Sequence, residues 1–300
     1  MQEAAENAYR TNCNFCGWKY SDQCTELIPI RCNVRKFSNE VFQMWRCQNC
    51  RCMHCWEVVD LDHYYNGYGT HQQKLDFFLR LAYREQFRRF RKSGLKREHR
   101  FLDYGCGAGL LVAYLQSRGY QHAVGYDPYG EAEGLNDASV LESRSYDFIC
   151  LQDVLEHVED PRQLIEDLSE LLRPGGVLFV GMPSADEIDL NQTDKYLHQI
   201  HLPYHLHIYT EAALVQMTGK FNLKSIASYR RFYVEYPFVF GMNMAFVRRY
   251  VRCSDDTSDA LLDPPRVRSV LCSPALLFDG FFGYFYSPQH AITVVFRAPP

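Results

Sequence analysis

The chain has 300 residues, 47% hydrophobic and 23% charged, with a formal net charge of -4. That length buries a sizeable core in one or two domains, and the composition is that of a globular protein, which excludes a disordered chain. The acidic balance excludes nonspecific nucleic-acid binding as the main task, because polyphosphate affinity needs a basic excess.

The N-terminal Met-Gln-Glu-Ala-Ala-Glu-Asn has acids and no apolar core, so it does not read as a secretory signal. The longest apolar run, residues 274–286, is too short and interrupted to span a bilayer, and the expected location is cytoplasmic. Twelve cysteines in such a chain point to metal or redox use, and eight of them precede residue 56. That clustering marks a separate module, expected over residues 1–62.

Within it stand Cys13-Asn-Phe-Cys16 and Cys47-Gln-Asn-Cys50. Two Cys-x-x-Cys turns whose thiolates converge make the tetrahedral sulfur cage that Zn2+ prefers, and a closed cage of that kind is structural. The preferred ligand set is Cys13, Cys16, Cys47 and Cys50; quartets drawing on Cys24, Cys32, Cys52 or Cys55 stay open, as does a Cys52/Cys55 redox pair. Gly17 follows the first knuckle, whereas Arg51 holds that place in the second.

Residues 63–100 read as a tyrosine-rich linker and an amphipathic helix over 70–93, with Leu75, Phe78, Leu79, Ala82, Phe87 and Phe90 on one face. Arg80, Arg84, Arg88, Arg91 and Lys92 give it a basic side, read as solvated.

From Phe101 short strands alternate with helices: strand 101–104, helix 109–117, strand 123–127, strand 147–151, helix 161–172 and strand 176–182. The expected fold class is α/β, a doubly wound, mostly parallel sheet that binds ligands beyond the carboxyl ends of its strands. The first strand runs into Asp103-Tyr-Gly105-Cys106-Gly107-Ala-Gly109, alternate glycines that let the backbone approach a ligand ahead of a helix N-terminus. Asp127 closes the next strand at the offset where a carboxylate accepts ribose hydroxyls.

The glycine loop resembles motif I of class I S-adenosylmethionine-dependent methyltransferases. So do Val-Gly-Tyr-Asp-Pro (124–128), the stretch 146–158 and Leu-Arg-Pro-Gly-Gly-Val-Leu-Phe-Val (172–180), in the family's order. Trp45-Arg-Cys-Gln-Asn-Cys50 is similar to the second knuckle of zinc ribbons fused to sugar and natural-product methyltransferases. The resemblance implies a Rossmann-like methyltransferase core over 101–235, completed by a strand at 289–300. It implies S-adenosyl-L-methionine as cofactor, held by Asp103, Gly105, Cys106, Gly107, Gly109, Asp127, Pro128, Gln152 and Asp153.

Too few residues separate Asp127 from Tyr146 for a full strand-helix pair, so the family's adenine contacts are not assigned. The segment His201-Leu-Pro-Tyr-His205-Leu-His207 resembles the histidine-bearing crossover after the family's fifth strand, which puts His205 forward as base, with His157 and His207 as other candidates. Asp153-x-x-Glu156-His157 also resembles the Mg2+ cluster of quinone-biosynthesis O-methyltransferases, a weaker reading here.

Thr210 caps a helix over 211–218, and Phe221–Phe232 and Ala291–Arg297 form the antiparallel end of the sheet. Residues 188–201 are expected to cross the mouth of the site. The aromatic segment 236–288 reads as a lid or dimer surface. The expected function is methylation of a small-molecule acceptor at carbon, oxygen or nitrogen. An RNA or protein substrate gripped by the ribbon and basic helix is the other enzyme reading, and a non-catalytic cofactor-binding scaffold a third.

Overall fold

The computed structural model describes residues 9–23, 25–65, 75–130, 134–141, 145–287 and 289–300. Cys24, the start of the expected helix at 70–74, and residues 131–133 of the stretch after Asp127 lie outside the described residues. Among the described residues no helix is long and apolar enough to cross a membrane.

The N-terminal part contributes strands β1 (Ile28–Arg31), β2 (Val41–Arg46) and β3 (Met53–Cys55), then a short helix α1 (Leu61–Tyr65). Helix α2 (Phe77–Lys92) starts where the Asp76 carboxylate accepts from Leu79 N at 2.8 Å, satisfying one of the free amides of the first turn. Its Phe90 ring packs on Phe101, Phe148 and Phe179, with centroids 5.4, 5.2 and 4.7 Å away, which ties the helix to three strands of the main sheet. Burying such a ring stabilises by about 1.5–3 kcal/mol. The basic side is partly satisfied within the helix: Glu85 pairs with Arg88 at 2.7 Å and with the buried Arg89 at 3.3 Å.

The core follows as β4 (Phe101–Tyr104), α3 (Leu110–Ser117), β5 (Ala123–Tyr126), β6 (Tyr146–Gln152), α4 (Pro161–Leu171) and β7 (Leu172–Pro183). Asp160 caps α4 and Pro161 opens it, a residue that lacks the amide this position could not use. Then come α5 (Leu197–Ile200), β8 (His207–Ile208), α6 (Glu211–Gly219, capped by Thr210) and β9 (Lys224–Tyr229). A helical cap, α7 (Met244–Ser254), α8 (Val267–Leu271) and α9 (Pro274–Phe282), precedes β10 (Ala291–Arg297).

Six strands form the main sheet in the order β5-β4-β6-β7-β10-β9. Strands β5, β4, β6 and β7 run parallel, and β10 is antiparallel to both β7 and β9. The four parallel strands are nearly continuous apolar runs, as strands covered on both faces must be. Strand β4 pairs with β5 on one side and β6 on the other, so the order reverses there and the crevice beyond their carboxyl ends becomes a ligand site. Among the described residues no strand lies between β5 and β6.

A second sheet has the order β1-β2-β3-β8. Its last strand comes from the crossover after β7: Met53 pairs with Ile208 and His54 with His207. The cysteine-rich segment is thus sewn to the core, and its Cys13, Trp45 and Cys47 share one apolar cluster with Leu102, Ile149 and Leu214.

Candidate functional site

The cysteine cluster lies at the edge of this second sheet. The Sγ atoms of Cys13 and Cys50 are 3.5 Å apart, as are those of Cys16 and Cys47, and all four lie within 4.8 Å of one another. Sulfurs about 2.3 Å from a common Zn2+ define a tetrahedron with edges of roughly 3.8 Å, so the four thiols fit that ion. Gly17 N donates to Cys13 O at 2.9 Å and Arg51 N to Cys47 O at 3.0 Å, giving two matching knuckles. Gly17 and Arg51 share a left-handed backbone, with φ +73 and +66, so the arginine takes up the conformation that glycine adopts at no cost. Cys52 and Cys55 point elsewhere, toward Cys50 O and Glu57, and do not join the cluster. The cage touches a histidine pair: His54 Nε2 is 3.2 Å from Cys13 Sγ and its Nδ1 is 3.0 Å from His207 Nδ1.

A cavity of about 930 Å³ opens beyond the carboxyl ends of β4 and β6. One end is the glycine loop. Gly105, Gly107 and Gly109 all have positive φ, and at Gly107 a Cβ would meet no atom within 4 Å: the loop presents bare backbone to open space, a cradle that a side chain would fill. Gly105 is different, since its Cβ would collide with Val154 at 2.3 Å, so this glycine also serves the packing of the loop. Gly109 is the left-handed residue ahead of α3, and Cys106 and Pro128 line the cavity.

Asp127 projects from the end of β5, where one carboxylate oxygen accepts from Gly107 N at 2.8 Å and the other from Tyr129 N at 2.9 Å. Each oxygen keeps a lone pair for a ligand hydroxyl. Asp103 is buried at the end of β4, and burial, with the neighbouring Asp127 charge, pushes its carboxyl up to about 7. Asp153, left-handed at φ +55 and half-buried, is likewise raised to about 7 by burial; its Oδ1 accepts from Gln152 Nε2 at 3.0 Å. Gly181 leaves the space for the Gln152 amide, which a Cβ would strike at 2.1 Å. These residues fit an adenosyl group carrying a positive charge: vicinal hydroxyl acceptors, bare backbone and two acids poised to ionise beside a cation.

The other end of the cavity is built by the crossover, a short turn after β6 and the cap. His157 and His205 stack edge to face at 4.6 Å, and Glu156 lies beside them, fully buried, with neither carboxylate oxygen hydrogen-bonded among the described residues. One ligand atom from each of Glu156, His157 and His205 falls within 4.8 Å of the others. Asp153 is not part of that group, so the acid-acid-histidine motif of the sequence does not assemble as read; His205 takes the third place. Burial holds His205 down to about 4 and, with His205 alongside, keeps His157 well below its ordinary value. Burial and the Asp153 charge raise Glu156.

His205 Nδ1 is 2.7 Å from Gln199 O, which fixes that nitrogen as the donor and leaves Nε2 to accept. His157 is committed on Nδ1 to the Tyr65 hydroxyl at 2.7 Å and is also bonded to the Tyr204 backbone. His207 faces His54 away from the cavity, because β8 pairs with β3 and directs that residue under the ribbon.

Several lining residues carried no motif. Tyr83 on α2 and Tyr233 after β9 stack at 6.4 Å with an interplanar angle of 8°, next to Asp103 and Asp153. Gln86 on α2 reaches Gln152 at 3.4 Å. The stretch 188–201, expected across the mouth, supplies His198, Gln199 and His201 to the wall, and the aromatic segment closes the cavity with Met244, Val247, Ser258 and Leu261. Only the helical period of α2 hinted at Tyr83 and Gln86, as positions two turns and one turn before Phe90.

A family model described as a methyltransferase domain matches residues 74–228. Among curated proteins, the ubiquinone biosynthesis O-methyltransferase of Coxiella burnetii is 34% identical over 119 residues, 34% of this chain and 48% of that protein. The mitochondrial enzyme of the same name from Dictyostelium discoideum is 28% identical over 107 residues, 26% of this chain and 33% of its own length. The match thus spans half or less of these relatives. A chain from the complex of the Haloferax volcanii Trm112 methyltransferase activator with a methyltransferase superposes with a TM-score of 0.50 at 13% identity, covering 81% of this chain and all of that one. At that identity the likeness is one of fold.

Proposed function

Since the chain belongs to the methyltransferase domain family, we propose that it transfers a methyl group from S-adenosylmethionine to a small-molecule acceptor held between the glycine loop and the cap. The observation that carries this reading is a single cavity with a nucleoside-shaped cradle at one end and an accepting imidazole at the other. Its volume, about 930 Å³, is near the upper end of ordinary ligand sites, roughly 300–1,000 Å³, which suits a cofactor plus a compact acceptor rather than a macromolecule.

The bound cofactor would supply an activated methyl group on a positively charged sulfur, with the carbon–sulfur electron pair as the leaving pair. Asp127 takes the ribose hydroxyls, and the loop backbone from Gly105 to Gly109, with Asp103, holds the amino-acid portion. Gln152 and Asp153 border the centre of the cavity. Alignment is the main contribution of these groups, since the methyl is already activated and holding reactants in line removes much of the entropic barrier.

The acceptor's proton passes to His205 Nε2, whose ring Gln199 O holds in place. Glu156 stands 4.0 Å from Nε2, and the imidazolium formed there would pair with its carboxylate. His157, held by the Tyr65 hydroxyl and the Tyr204 backbone, positions rather than reacts. The four-cysteine cluster is assigned a structural Zn2+ that holds the two knuckles against β8 and so supports the crossover carrying His205.

The decisive experiment incubates the full chain with methyl-labelled cofactor and a metabolite extract, beside a parallel reaction on total RNA. Label in small molecules that survives high salt supports the proposal. Label confined to RNA, with a steep salt dependence, refutes it in favour of a nucleic-acid substrate.

A further inference from the structure

Around His290 of the cavity lining stand groups that the transfer described above does not use. Arg248, on α7 beside the cavity-lining Val247, has buried Nε and Nη2 atoms with no hydrogen-bond partner among the described residues. His290, in the turn before β10, lines the cavity at 4% exposure, and both of its ring nitrogens are buried and without a hydrogen-bond partner among the described residues. Tyr196 joins them: its ring lies 4.8 Å edge to face from His290, and the guanidinium sits 5.7 Å from its centre. Such a contact engages the cation without using the N–H donors, which remain directed in the guanidinium plane. His198, on the preceding α5, completes the corner.

The charges facing this corner do not cancel. Glu235 is a buried acid that acts on Arg248, but its Oε1 accepts from Met244 N at 3.3 Å and Arg231 Nη1 at 3.5 Å. One carboxylate therefore answers two guanidiniums. Asp256, the acid that acts on His198, is paired with Arg31. A buried guanidinium that must share its counter-anion is unfavourable, and an anionic ligand would relieve it. Burial depresses Arg248, and burial with the Arg248 charge holds His198 down to about 4 and His290 to about 3, as in a site waiting for negative charge.

We propose that Arg248, His290 and His198 form an anion subsite, and that the methyl acceptor carries a carboxylate or phosphoryl group seated there while its nucleophilic atom faces His205. This rests on the methyltransferase reading and narrows its substrate class. Arg248 would donate through Nε and Nη2 to two oxygens of one group, the forked geometry that suits both anions, and a neutral imidazole would donate a third bond.

The test titrates the full chain, saturated with S-adenosylhomocysteine, with inorganic phosphate and separately with 4-hydroxybenzoate at constant ionic strength, by calorimetry. Saturable binding of either anion is expected, weakened at least tenfold in Arg248→Met, which keeps the aliphatic stem over Tyr196, with S-adenosylhomocysteine affinity unchanged. Stronger phosphate binding marks a phosphorylated acceptor and stronger benzoate binding a carboxylic acid. Should Arg248→Met fail to fold, His290→Gln is expected to weaken the same anion, and the His290 ring resonances of the wild type to shift on its addition. No saturable binding of either anion to a protein that does bind S-adenosylhomocysteine overturns the subsite alone, as does equal affinity in the variants. Failure to bind S-adenosylhomocysteine overturns the methyltransferase reading beneath it.

Discussion

Replacing Gly107 by valine separates the cofactor cradle from the stability of the loop. The residue has φ +54, so a side chain there carries the left-handed penalty of about 1–2 kcal/mol, and nothing within 4 Å opposes its Cβ. For a domain of this size that corresponds to a melting shift of roughly 2–8 °C. In the liganded protein the same Cβ intrudes on tightly apposed backbone and ligand, where overpacking costs about 1–3 kcal/mol, or roughly a 5- to 150-fold loss of affinity. Calorimetry with S-adenosylhomocysteine measures the second quantity and thermal melting the first. Gly105 cannot serve, because its Cβ would strike Val154 and the two effects would merge. A Gly107→Val protein that melts within this window yet binds the ligand as the wild type does would refute the assignment of the loop.

His205→Ala should lower turnover by about 10²–10⁴-fold, the usual range for a general base, while S-adenosylhomocysteine binds as before; parallel losses in both would make the residue structural. Cys16→Ser should reduce zinc content by plasma emission spectrometry and lower the melting temperature, whereas Cys52→Ser should leave both near wild type. Added Mg2+ should not change the turnover of dialysed protein; a tenfold stimulation would put a cation on Glu156, His157 and His205. Stability of the ligand-free protein should fall as pH drops from 7 to 5. His54, His157, His198, His201, His205, His207 and His290 all titrate below their ordinary value, so the unfolded chain binds their protons first. Asp103, Asp153, Glu156 and Glu235 are raised and act in the opposite sense, but they are fewer. A melting temperature that rises on acidification would overturn this balance.

The alternating core was legible because its strands and helices are short, locally patterned and capped by residues next to them: Asp160-Pro161, Thr210 and the three glycines announce themselves in sequence. Among the described residues, the four sulfurs that lie together are those of the two Cys-x-x-Cys turns. Non-local contacts were not legible. Nothing near His207 indicates that it pairs with His54, 153 residues away, and so turns from the cavity, whereas two residues earlier His205 enters it. Arg248 and His290 belong to no motif; they come together around the ring of Tyr196, far from both in sequence. In the aromatic segment read as a lid or dimer surface, Met244 and Val247 line the cavity, and Phe278, Phe281 and Phe285 stay exposed.

The pairing of β3 with β8 bears on how the molecule is assembled. Residues 53–55 leave the ribosome long before residues 207–208, so until the crossover arrives β3 offers an unmatched row of amides and carbonyls. A fragment ending near residue 62 would retain that open border however well its thiols hold a metal, and would be prone to self-association. Completing the front of the chain is therefore one of the later events of its folding.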